Sequence, residues 1–197
     1  MKPLLPLALV LLAGCAAPPQ LSREEALKIT SRTYDNTPKE KVIAAAERLL
    51  RLADGSDFVI QHVDEGFSAS RPWGVYMVLA AVRGTDYWQF KAVQEGGATR
   101  ASVLISTQAQ GQGVSMAPST GSWGTSMQPL QGSAVNGTAI YDVFWSRMDY
   151  LLGMRSDWMS CDQANARVQQ KVVWGDNSAL CNAFNMTDET PRAPLEK

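Results

Sequence analysis

From Lys39 to Ala53 apolar residues return every three or four positions. Val42, Ile43, Ala46, Leu49, Leu50 and Ala53 share one face, while Lys41, Glu47, Arg48 and Arg51 lie largely elsewhere. That period predicts an amphipathic helix laid on a core. Its start is predicted at Thr37-Pro38-Lys39-Glu40, where Thr37 can accept the Glu40 amide, Glu40 can reach back, and Pro38 suits the first turn. Gly55 is the expected stop. A second stripe of Ile140, Val143, Phe144, Met148, Leu151 and Leu152 predicts a helix from near Thr138 to a cap at Gly153, with Trp145 and Tyr150 off the centre of the stripe.

Elsewhere the period is two. Ala26 to Tyr34 alternates loosely and predicts a first strand; Phe58–Val63, the turn Asp64-Glu65-Gly66 and Phe67–Arg71 predict a hairpin. Val75–Arg83 is nearly all apolar, as a strand buried on both faces would be. Gly84-Thr85-Asp86 is read as a turn into Tyr87–Val93, and Gly96-Gly97 as a turn into Thr99–Thr107, which together predict an antiparallel meander. The expected fold is α+β: an antiparallel sheet of four to five strands with two helices packed on one face.

Residues 108–138 break the pattern. They are built of Gln, Gly, Ser, Thr, Ala and Met, and no charged residue occurs from Ala101 through Tyr141. The stretch is expected to be an insertion loop within a domain spanning 26–155. Either it is mobile, or it orders against a partner or membrane through Met116, Trp123, Met127 and Leu130. After the domain come a tail at 156–184, with a short extended run at Val172 to Trp174, and an end at 185–197 expected to be disordered.

The beginning of the chain carries an address. Met1-Lys2 is followed by apolar Pro3 to Leu12 and then by Leu12-Ala13-Gly14-Cys15, which resembles the lipobox of bacterial lipoprotein precursors. The resemblance implies a signal peptide at 1–14 cut after Gly14, a diacylglyceryl group on the Cys15 thiol, a fatty acyl group such as palmitate on its new amino terminus, and a flexible tether at 15–25. Several chains at about 0.8 kcal/mol per buried methylene make an anchor that hardly dissociates. The alternative is an ordinary secretory signal with a chance cysteine, but an Ala-x-Ala cleavage site is not evident. Ala16 stands where the inner-membrane retention signal of enteric bacteria has Asp, so the outer membrane, facing the periplasm, is the expected location.

Composition then removes classes of function. A net charge of -1 gives no basic footprint for nucleic acid, and the longest apolar run is too short to span a bilayer. With Cys15 lipidated, Cys161 and Cys181 remain as an even pair in an oxidising compartment, and a disulfide is expected. The chain-entropy model gives such a loop about 3 kcal/mol. A metal site on these thiolates would need further ligands, and the only histidine, His62, lies far upstream, so no metal or cofactor is expected. No Gly-x-Ser-x-Gly, Ser-x-x-Lys, phosphate-cradling Gly-x-x-x-x-Gly-Lys or His-Glu-x-x-His occurs. Asp64-Glu65 and Asp54 with Asp57 are pairs only in sequence, at turns where acidic residues are ordinary. The expectation is a protein that is not an enzyme.

Thr30-Ser31-Arg32-Thr33-Tyr34-Asp35-Asn36-Thr37 before the first helix, Asp57-Phe58-Val59-Ile60 after it, and Tyr141-Asp142-Val143-Phe144-Trp145-Ser146-Arg147-Met148 in the last helix carry a further resemblance. They are similar to the domain repeated in the outer-membrane assembly lipoprotein BamC and its bacterial lipoprotein relatives. Asp54-Gly55-Ser56-Asp57-Phe58 departs from the family's usual Gly-Phe, and the uncharged insertion and cysteine-bearing tail have no counterpart there. The resemblance implies a helix-grip sheet and an accessory or scaffold subunit of an envelope assembly, whose partners are other envelope proteins. The machine is expected to be outer-membrane protein insertion or a secretion or conjugation apparatus. Contact surfaces are expected at 108–138 and at exposed Trp73, Trp123 and Trp145. The alternative is a module binding lipid or a cell-wall fragment in a cavity between sheet and helices.

Overall fold

The computed structural model describes residues 21–54, 57–77, 80–116, 123–134 and 137–181, with the backbone alone for 54, 77, 80, 111–116 and 123–134. Eleven elements follow one another along these residues: α1 (Arg23–Thr30), β1 (Ser31–Asp35), α2 (Lys39–Asp54), β2 (Val59–Val63), β3 (Gly66–Met77), β4 (Ala80–Glu95), β5 (Ala98–Met116), β6 (Trp123–Ala134), α3 (Ala139–Leu151), α4 (Cys161–Gln169) and α5 (Ser178–Cys181). The strands make one antiparallel sheet in the order β1-β5-β4-β3-β2, with β6 also on β5. β5 is long enough for two neighbours on one side. Ala98–Ser102 pairs with β1 and Ser106–Met116 with β6, so β1 and β6 lie end to end along the same edge.

The fold is α+β, with helices packed on one face of the sheet, as the patterning predicts. α2 buries Val42, Ala46, Leu49, Leu50 and Ala53, with Ile43 half-buried. α3 buries its whole predicted stripe. Against them the sheet presents alternate residues: Phe67 and Ala69 from β3, Trp88, Phe90 and Ala92 from β4, and Ala101, Val103 and Ile105 from β5. Phe144 of α3 sits over this row, 5.8 Å from the Trp88 ring centre and 6.1 Å from that of Phe90. Each large side chain so buried contributes roughly 1.5–3 kcal/mol. Gly153 ends the helix with φ +74° and its N–H donating to Tyr150 O, which is the predicted cap. Gly96, at φ +60°, makes the predicted turn between β4 and β5.

Five expectations are corrected. The first strand is shorter than 26–34, because the chain is helical to Thr30, and the expected tether at 15–25 overlaps that helix. Ser22 accepts the Glu25 amide while Glu25 accepts from the Ser22 N–H, and Glu24 pairs with Lys28 one turn on. This local closure of the ends outweighs the loose alternation. At α2, Thr37 donates its hydroxyl to Asp35 O, and the Lys39 N–H is taken by Gln94 Oε1.

The predicted turn at Gly84-Thr85-Asp86 lies inside β4. The chain reverses between Met77 and Ala80, which are register partners, so β3 and β4 are each continuous through residues read as separate strands. No Gly, Asn or Asp marks Val78-Leu79, which is why the reversal was not legible. The insertion loop at 108–138 is likewise replaced: 108–116 extends β5 and 123–134 is β6. Gly and Gln have low strand propensity, and here ladder bonds to β4 on one side and β6 on the other override it. Finally, the expected extended run at Val172 to Trp174 is a bend at 172–173 and not a strand, and just after it Gly175 makes an isolated bridge with Gly137. The disordered end at 185–197 lies outside the described residues.

Candidate functional site

The helices rest on β1, β4 and β5, and α3 and α5 reach along the sheet as far as the row Arg71–Asp86–Thr107 and the neighbouring Trp73 and Val75. Beyond that row β3, β4, β5 and β6 continue together as a ribbon, here called the arm. From Thr107 to Met116 the strand advances roughly 30 Å at about 3.3 Å per residue. Val75, Val82 and Ala109, whose parity continues the helix-covered face, are only half-buried, and Tyr76 on the other face is 82% exposed.

A buried polar cluster marks the junction between the helical part and the arm. Arg71 and Asp86 are direct partners across the β3–β4 ladder, and Arg71 Nη2 lies 3.1 Å from Asp86 Oδ2. Two rows of sheet geometry bring in Trp73, whose indole N–H donates to Asp86 Oδ1 at 3.0 Å. Both carboxylate oxygens are therefore engaged. The Arg71 guanidinium also lies 5.7 Å from the centre of the Phe58 ring. Trp73 lies over its register partner Gly84: a Cβ there would stand 2.5 Å from Trp73 Cζ2 and 2.4 Å from Gln108 O. Glycine interrupts the strand because the indole occupies its side-chain space. A cleft of about 320 Å³ opens beside the cluster, lined by Arg71, Trp73, Val75, Thr107, Ile140 and Ala179 among others.

Among the described residues, no helix lies along the centre of the opposite face of the sheet. A shallow depression of about 680 Å³ runs there past Val63, Ser68, Gln89, Lys91 and Leu104, with Thr30 at its rim. Its polar residues are solvated and sit where alternation places them.

The predicted site residues separate. Trp145, expected on an exposed contact surface, is 3% exposed: it stacks edge-on against Phe144, and its indole N–H donates to Ile29 O at 2.7 Å, so α1 covers it. Trp73 is half-buried over Gly84 and Asp86 rather than presented outward. Met116 closes β5 and Trp123 opens β6 as register partners, and Met127 pairs with Gln112, so these three share the arm. Gly14 and Cys15 lie outside the described residues. Cys161 and Cys181 form the expected disulfide, across which Arg147 extends; it donates Nε–H to Met159 O and lies 4.7 Å from the Trp158 ring centre. Asp142 and Arg167 add an ion pair at 2.7 Å that fastens α4 to α3.

His62 meets Glu47 at 2.8 Å, and Arg51 approaches the same carboxylate. The His62 hydrogen bond first, with Arg51 after it, holds Glu47 below its usual range. Burial pushes the Tyr34 and Tyr141 hydroxyls up, which keeps them protonated. Among the described residues no group of three His, Cys, Asp or Glu side chains is placed to hold a metal ion. The Arg71–Asp86–Trp73 cluster was not legible in sequence. Its signal is the symmetric spacing of 71 with 86 and 73 with 84 about 78–79, visible only once the reversal is known.

Comparison with protein-family models, with curated proteins and with solved structures finds no match to this chain.

Proposed function

We propose that this chain is a non-catalytic lipoprotein, anchored through Cys15 to the periplasmic face of the outer membrane, that serves as an accessory or scaffold subunit of an envelope assembly. The assembly is the outer-membrane protein insertion machinery or a secretion or conjugation apparatus. One observation carries it: β3, β4, β5 and β6 continue together beyond the Arg71–Asp86–Thr107 row, and there Val75, Val82 and Ala109, on the face that turns toward the helices, are only half-buried. A ribbon without a layer packed on it adds little to the stability of a single chain. A partner packed against the arm would supply that missing layer. The lipobox motif supports the anchor, and the BamC-like segments agree with a sheet gripped by helices.

The anchor is tested by replacing Cys15 with Ala and fractionating cells. Loss from the membrane fraction, with loss of the acyl mass, is the expected result; unchanged membrane association contradicts it. A second reading rests on the 320 Å³ cleft, whose apolar walls and buried polar floor suit a small amphipathic ligand. Saturable, displaceable binding of an apolar dye that is lost in Val75→Lys would favour a ligand-binding module.

A further inference from the structure

The arm ends in an unguarded edge. β6 pairs with β5 along one side, and among the described residues no strand lies along its other side. Such an edge exposes a row of unpaired N–H and C=O groups, which proteins ordinarily protect with charged side chains, prolines or bulges. β6 has no charged residue in its twelve positions, and the nearest charges along the chain are Arg100 and Asp142. Pro129 removes one donor and leaves the stretch 123–128 without any of these guards. The other edge of the arm is different. β2 covers β3 over Gly66–Ser70, and the remaining part begins with Arg71 and Pro72.

An uncharged edge selects the strand that can lie against it. About a two-fold axis β6 runs antiparallel to its own copy, and residues near the axis face their own counterparts. A charge there would confront a like charge; β6 offers none. A partner chosen by electrostatic complementarity would instead need charges on this edge to read. We propose that the free edge of β6 binds the β6 edge of a second copy, joining two four-stranded arms into one continuous antiparallel sheet. This rests on the arm being a contact surface and names its first partner.

The test uses the full chain purified in detergent. Sedimentation velocity gives two copies per particle, and Thr125→Lys with Ser126→Lys halves that mass while the far-ultraviolet circular dichroism and the Cys161–Cys181 disulfide are retained. Single cysteines placed in turn across 123–128 provide a measurement that tolerates a misfolded lysine variant. At least one near the axis forms a disulfide-linked dimer on mild oxidation, whereas Ser68→Cys on the open sheet face does not. A wild-type chain that stays single at the highest concentration reached overturns the proposal. So does a dimer that forms without any cross-link in 123–128. A single chain in vitro that nevertheless captures one envelope subunit in cells overturns self-pairing and leaves the scaffold function standing.

Discussion

Arg71 and Asp86 face each other across the β3–β4 ladder with 3.1 Å between Nη2 and Oδ2, and their side chains are 4% and 6% exposed. Desolvating two charges is costly, and their attraction offsets that cost only while both are present. Asp86→Ala is therefore expected to destabilise the fold by about 3–5 kcal/mol, because it removes the carboxylate that faces a buried guanidinium. The double replacement Arg71→Met with Asp86→Leu should recover most of that loss. Urea unfolding of the three chains measures both effects. A single variant as stable as the wild type would show that water reaches the cluster.

Gly84 is a point of close approach between the Trp73 indole and the strand backbone. Gly84→Val would drive a side chain into Trp73 and the Gln108 carbonyl, so the indole must leave Asp86. The expected cost is about 1–3 kcal/mol, the usual range for overpacking. The fluorescence difference between this variant and Trp73→Phe should shrink as the indole becomes solvated. Unchanged fluorescence would mean that the backbone had moved instead.

The tail depends on its disulfide, which joins residues 20 positions apart. Cys161→Ser with Cys181→Ser should lower stability by about 3 kcal/mol on the chain-entropy model. Arg167→Ala should add to the loosening by freeing Asp142. Limited proteolysis, read by mass, should then cut first between 155 and 177. A tail that resists cleavage in both variants would show that Arg147 and Trp158 suffice to hold it.

Acid should act on Glu47. Its carboxyl titrates below the ordinary 4.5 in the folded chain, held down by His62 first and then by Arg51. The pairing therefore stabilises the fold fully above that ordinary value and is lost as pH falls through the lower folded value. The gap in unfolding midpoint between wild type and Glu47→Gln should be constant near pH 6 and close on acidification below about 4.5. A gap that widens toward low pH would reverse the sign.

Of the five helices, α2 and α3 were legible because their stripes are strong, every residue of the α3 stripe being buried, whereas α1, α4 and α5 were not. The strands were legible where apolar and polar residues alternate, as at Trp88, Gln89 and Phe90. They were missed where the sheet itself supplies the reason for being extended. Thr107 to Met116 has no apolar alternation, and its strand state comes from neighbours on both sides. The β3–β4 reversal was hidden because Val78-Leu79 looks like strand interior, which displaced the turn to Gly84 and separated Arg71 from Asp86. Trp145 was misplaced for another reason. Its position off the α3 stripe suits an exposed ring only if nothing else covers that flank, and α1 does.

The arm as the contact surface of an envelope scaffold is tested most directly by crosslinking in living cells. Photoreactive residues at Tyr76, Ala109 and Thr125 sample its two faces and its edge, and Val172 on the tail serves as the control. One defined envelope subunit, or a second copy of this chain, recovered from the arm positions and absent from Val172 is the predicted result. Arm positions that capture nothing defined would contradict the scaffold function.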